Sequence, residues 1–155
     1  DNDIVIINTG WHQKYSDSQE YFGHAPGLTK EAAEYLVSKN VRLLGVDTPF
    51  VDHPLATSMG AHRNGPQISR LPSDYERRTG RKASSDFPLW NPAHRTLLGA
   101  GIPTVENVGG DISTVSGTRC TFHAYPWRWP GADACMIRLV AITDPSGNYR
   151  LASGE

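Results

Sequence analysis

The sequence predicts an α/β fold, a mixed β-sheet with flanking helices, and three neighbouring stretches carry that prediction. "IVIIN" at 4–8 is a near-continuous β-branched run of the kind found in strands buried on both faces. "LTKEAAEYLVSKN" at 28–40 places apolar residues at Ala32, Ala33, Leu36 and Val37, the spacing of a helix with one buried face. "VRLLGVDTP" at 41–49 is the next strand, stopped by Pro49. Strand, helix and strand in that order build a parallel or mixed sheet, not an all-β sandwich.

The remaining elements follow in order. "TG" at 9–10 ends the first strand. Thr29 caps the first helix, Glu31 suits the positive end of its dipole, and Lys39 and Asn40 suit its C-terminus. Proline, glycine and the basic run "RRTGRK" make regular structure hard to sustain over 51–90, so a long excursion is expected at 53–90. Its charges read as a solvated face, and the excursion as either a functional, partner-facing loop or a surface insertion. Asn91 then reads as an N-cap with Pro92 at the first helical position, opening a helix through His94, Leu97 and Leu98 to Gly99 or Gly101. "PTVENV" at 103–108 is a short strand, and "GTRCTFHAYPW" at 117–127 alternates as a strand as far as Pro126. "ACMIRLVAITD" at 134–144 is expected to close the sheet before the polar tail "PSGNYRLASGE".

Size and charge limit the function. A chain of 155 residues suits one domain with a single core. Fifteen Lys and Arg against 16 Asp and Glu leave a formal charge of -1, so no global field draws nucleic acid or an anionic membrane. No apolar run approaches the roughly 20 residues that a membrane-spanning helix needs, and no signal-peptide pattern opens the chain. The expectation is a soluble, cytoplasmic protein. Cys120 and Cys135 form no CxxC pair, which argues against a disulfide scaffold or a zinc ribbon. The sequence also enters a strongly apolar strand within three residues, as if in mid-fold, so a preceding segment or a partner chain is expected to cover that strand.

Two residues stand out as candidate metal ligands. His94 lies three and four residues before Leu97 and Leu98, which turns it toward the buried side of its helix. Glu106 follows twelve residues later at the end of the next strand, across a short Gly-Ile-Pro turn. A helix and the strand after it pack together, so the pair can converge, and imidazole with carboxylate suits Zn²⁺, Mn²⁺ or Fe²⁺. Two ligands without a third do not make a site, so spacing alone favours the plainer reading, a core histidine satisfied by a backbone carbonyl and a glutamate at a surface strand end.

Other polar residues offer less. His12 follows the first strand, where α/β sheets place binding residues; His24, His53 and His62 lie in loops, and His123 sits within a strand whose face is open. Asp47 and Asp52 flank a strand terminus, as ligand-orienting groups or as caps of the turn that Pro49 enforces. Trp11, Trp90, Trp127 and Trp129 are numerous for this length, and "YPWRWP" at 125–130 suits either an aromatic-lined pocket or a partner interface.

Four stretches together carry a family resemblance: "INTGW", "PGLTKEAAEYLVSKNVRLLGVDTPFVD", "AHRTLLGAGIPTVENV" and "FHAYPWRWPGADACMIRLVAI". The chain resembles the later part of the metal-dependent cyclase family of hydrolases, which includes bacterial kynurenine formamidase and isatin hydrolase. The resemblance covers 3–52 and 91–143. It implies a swivelling β/β/α fold, with 1–155 as the C-terminal portion of a single cyclase-like domain. It also implies that His94 and Glu106 help to bind a catalytic Zn²⁺ or Mn²⁺. The family's other ligands and its general-base histidine come from an HxGTHxDxPxH motif, which no stretch here matches, although "FVDHP" and "GAHRNGP" share a few letters. The resemblance therefore implies a second chain, or a cleaved first half, that supplies the motif, and an oligomer. Near the end, "WPGADACMIRLVAI" departs from the family's Gly-Asp-Gly turn, keeping Gly131, Asp133 and Arg138.

The function that follows is metal-dependent hydrolysis of an amide carbon-nitrogen bond, in a formamide, a lactam or another cyclic amide. Trp11, His12, Phe50, Trp127 and Trp129 are the candidate substrate-binding residues, with His12 a candidate contact for a substrate carboxylate. The alternative is a non-catalytic scaffolding or regulatory subunit that keeps the fold without a metal.

Overall fold

The computed structural model describes residues 2–60, 62, 68–146 and 148 of the chain. It divides into two compact units, Asp1–Gly109 and Gly110–Glu155. The fold is mixed α/β, as expected, with a parallel three-stranded sheet and flanking helices. That arrangement is compatible with a cyclase-like α/β fold.

In the first unit β1 (Ile4–Ile7) is followed by a 3₁₀ turn at Trp11–Lys14, α1 (Gln19–Gly23), α2 (Lys30–Ser38) and β2 (Leu43–Val46). A second 3₁₀ turn at Pro54–Ala56 leads to α3 (Leu71–Thr79), α4 (Ala83–Asp86), α5 (Pro92–Gly99) and β3 (Thr104–Val105). The sheet order is β1-β2-β3, all parallel, with Ile7 opposite Val46 and Gly45 opposite Val105. Central β2 is the anchor. Leu44 and Val46, two residues apart and so on one face, join Ala33 of α2 and Ala93 and Leu97 of α5 in the main core. Thr29 caps α2 as predicted, its hydroxyl accepting the Ala32 N–H at 3.2 Å.

The 53–90 excursion departs from the expected loop, because α3 and α4 lie within it. Its apolar residues keep helical spacing: Leu71 and Tyr75 are four apart, as are Ala83 and Phe87, and all four share a second core with Leu55. The residues that read as breakers are helix punctuation. Pro72 sits in the first turn of α3, where no N–H is needed, and Gly80 ends the helix at φ 70°, a left-handed conformation that suits glycine. The basic run is also paired, Arg81 with Asp86 at 2.6 Å and Lys82 with Glu76 at 2.9 Å. Within the excursion, residues 61 and 63–67 lie outside those described.

His53 belongs to this second core. Its Nδ1 accepts the Leu55 N–H at 3.1 Å and its ring stacks on Phe87, centroids 4.3 Å apart. Burial, with help from the Arg78 and His24 charges, pushes the imidazole down to about 4. The unfolded chain then takes up a proton near 6.5 that the folded chain refuses until about pH 4. Stability is therefore present above that window and is expected to fall by about 3 kcal/mol on descending through it. Urea melts at pH 7 and pH 4.5 check this: the drop should be steeper for the natural chain than for His53→Gln.

The second unit contains α6 (Ile112–Val115), β4 (Thr121–Pro126) and β5 (Ile137–Ile142). The sequence predicts that the last strand closes the sheet; instead β4 and β5 pair antiparallel with each other, Thr121 opposite Ile142 and Pro126 opposite Ile137. A direct connection favours that pairing, since a parallel partner needs a long crossover. His123 lies on the exposed side of β4, stacked with Tyr125 at 5.9 Å. Most of the polar tail, 147 and 149–155, lies outside the described residues. Among those described, no helix is long and apolar enough to cross a membrane.

Candidate metal centre

The segment Asp47–Asp52 leaves β2 and turns across the carboxyl ends of the sheet, because Pro49 stops the strand. Two consecutive residues of that segment hold the expected pair. The Val51 N–H donates to Glu106 Oε1 at 2.8 Å, just beyond β3. The Asp52 carboxylate accepts the N–H groups of Ala93 and His94 at 2.8 and 2.9 Å, at the start of α5. Asp52, and not the predicted Asn91, is thus the side chain that caps this helix. Asn91 adopts φ 43° and its side chain makes no capping bond. A carboxylate satisfies two of the helix's orphan N–H groups and complements its dipole, more than an amide can do.

So held, His94 Nδ1 lies 3.5 Å from Glu106 Oε1, each side chain about one-third exposed at 30% and 32%. The Glu106 carboxylate raises the His94 imidazole above its ordinary value; burial opposes this, and the Asp52 charge adds to it. Burial pushes the Asp52 carboxyl up, against the two helix N–H bonds that favour its charged form. After Glu106 the chain continues beside the 47–52 segment, the Asn107 N–H donating to the Thr48 carbonyl at 2.8 Å. The Tyr21 hydroxyl, fully buried, donates to Asn107 Oδ1.

Asp47, the other carboxylate of the segment, is also fully buried. Its Oδ1 accepts the Thr9 N–H at 2.9 Å and the Thr9 hydroxyl at 2.7 Å. Its Oδ2 accepts from the His12 backbone at 3.3 Å and lies 3.0 Å from His12 Nδ1. Burial alone would raise this carboxyl, but the bonds from His12 and Thr9 win and hold it below the usual range. Both aspartates are therefore spent on protein donors. A metal in this unit would be met by His94 and Glu106, a nitrogen and oxygen donor set that fits Zn²⁺ or Mn²⁺. Among the described residues no group of three His, Cys, Asp or Glu forms a complete set.

The predicted substrate residues fall in both units. The Trp11 indole donates to the Tyr21 carbonyl at 3.0 Å, with the Lys14 ammonium 4.5 Å from its ring centroid. Phe50 lies against Phe22, centroids 6.4 Å apart. Trp127 and Trp129 belong to the second unit, 66% and 54% exposed and 6.3 Å from each other. His24 is exposed after α1, and His62 Nε2 lies 3.0 Å from the Phe87 carbonyl. Sequence reasoning missed the Val51 amide, the Tyr21 to Asn107 bond and the capping role of Asp52. Backbone donors and partners dozens of residues away leave no local signal.

The turn that orders Asp47, Asp52 and His12 sits in a stretch with a known counterpart. Residues 1–53 match the family model described as "Putative cyclase". The cyclase match spans β1 to the end of the 47–52 segment, and so includes Val51 and Asp52, while His94 and Glu106 lie beyond it. It supports the cyclase resemblance of this part of the chain. No curated protein matches the chain.

Proposed function

We propose that the chain forms part of a metal-dependent hydrolase that cleaves amide carbon-nitrogen bonds in a formamide, a lactam or another cyclic amide. The observation that carries this reading is the approach of His94 to Glu106 at the carboxyl end of a parallel sheet, where α/β folds bind ligands. The two side chains would hold Zn²⁺ or Mn²⁺, with the remaining ligands supplied by a second chain or segment bearing the HxGTHxDxPxH motif. Such a metal, when bound, lowers the pKa of its water and polarises the substrate carbonyl. Val51 and Asp52 keep the donors in place, and Trp11 and Phe50 are the wall candidates of the same unit. A cytoplasmic setting accords with this chemistry.

Native mass spectrometry of the assembled protein, before and after a chelator, tests the reading. The expected result is a chelator-sensitive divalent metal and a second polypeptide. His94→Ala and Glu106→Gln should each lose the metal and at least about 100-fold of formamide or lactam hydrolysis, the scale on which even outer-shell changes act. An assembly that binds no metal and cleaves neither substrate class would favour the scaffolding reading.

A further inference from the structure

The pairing of His12 with Asp47 is used by nothing described so far. We propose that His12 is the proton donor to the leaving nitrogen in the hydrolysis put forward above, with Asp47 as its positioning residue. The inference rests on that hydrolase reading.

Three features support it. First, Asp47 is fully buried and its two oxygens meet four donors, two of them from His12. A carboxylate so committed stays ionised, keeps the proton of the neutral ring on Nδ1, and leaves proton exchange to Nε2. Second, the residues sit at the chemically productive end of the sheet. Asp47 follows β2, His12 lies in the turn after β1, and Glu106 follows β3, so the two pairs occupy adjacent strand ends, where strands lie about 4.8 Å apart. A bond path also joins them: the Trp11 indole to the Tyr21 carbonyl, and the Tyr21 hydroxyl to Asn107, next to Glu106. Third, the imidazole is one of several donors to Asp47 and not the only one. Thr9 and the His12 backbone N–H already satisfy both Asp47 oxygens, so the ring adds a titratable group at 12% exposure.

In the reaction, the oxygen of water bonds to the carbonyl carbon and the carbon-nitrogen bond breaks with its electron pair passing to nitrogen. His12 Nε2, bare in the neutral ring, takes the proton that the attacking water releases and gives it to that nitrogen. Amide plus water gives carboxylic acid plus amine, with the imidazole unchanged.

A leaving-group series on the assembled enzyme separates this role from simple binding. Formamides of alkylamines need protonation at nitrogen, whereas a formamide of nitroaniline departs with little help. His12→Gln is expected to lose about 100-fold or more in kcat on the first and less than about tenfold on the second, general acid catalysis being worth about 10²–10⁴. Asp47→Asn should show the same pattern, and ¹⁵N spectra of the full chain should show His12 protonated at Nδ1 in its neutral form and lose that preference in the variant. An equal loss across the series, or a natural His12 protonated at Nε2, overturns the proposal while leaving the hydrolase reading intact. A natural enzyme that cleaves no formamide or lactam removes the hydrolase reading, and this role with it.

Discussion

Asp52→Ala is expected to lower the stability of the chain by about 3 kcal/mol, because it strands two buried helix N–H groups at about 1–3 kcal/mol each, less what the new space lets water recover. Asp52 is only 2% exposed, and its carboxylate accepts the Ala93 and His94 N–H groups at 2.8 and 2.9 Å. Asp52→Asn keeps one good acceptor and should cost about 1 kcal/mol, the usual scale for a weakened cap. Urea unfolding measures both. Metal retention adds a second readout: the alanine variant should release the His94 end of α5 and lose metal even where it remains folded, whereas the asparagine variant should keep it. Equal stability of the two variants would show that the capping bonds contribute little.

Gly27→Ala is expected to cost about 3 kcal/mol or more, at or above the upper end of what overpacking usually does. A Cβ at Gly27 would overlap the amide nitrogen of His53 and the carbonyl carbon of Asp52. Those are backbone atoms. Neither can swing aside as a side chain would, and the Leu28 N–H already fixes this crossing by donating to the Val51 carbonyl at 2.8 Å. The clash therefore has to move the 51–53 segment, and with it the supports of His94 and Glu106. Gly99, with nothing within 4 Å of its Cβ position and a helical place in α5, is the contrasting site. Gly99→Ala should be neutral or stabilising by up to about 1 kcal/mol. Thermal melts of the two alanine variants, run side by side, compare a tight backbone crossing with an ordinary helical glycine.

Local pattern explains what could be read from the chain. The β-branched run of β1, the apolar spacing and Thr29 cap of α2, and the Pro49 stop after β2 are each specified within about ten residues, and each appears in the fold. The helices α3 and α4 are hidden because proline and glycine read as breakers, although Pro72 in the first turn and Gly80 at the C-cap favour a helix. At the site, the twelve-residue spacing of His94 and Glu106 and the family resemblance pointed to the pair. What brings them together was not legible. Asp52 meets the α5 amides across 41 and 42 residues and Val51 meets Glu106 across 55, separations at which neither periodicity nor propensity carries information.

The adjacency of Val51 and Asp52 has an energetic corollary. Two consecutive residues hold both donors of the candidate centre, Val51 by its amide and Asp52 by its side chain, so their separation is set by one short segment rather than by two independent elements. The conformational entropy of bringing an imidazole and a carboxylate together is then lost once, when the chain folds, and is not charged again when a ligand arrives. Ion binding at such a preorganised pair should proceed with little further ordering of the first unit, so that its affinity reflects the chemistry of the donors and of whatever completes their shell.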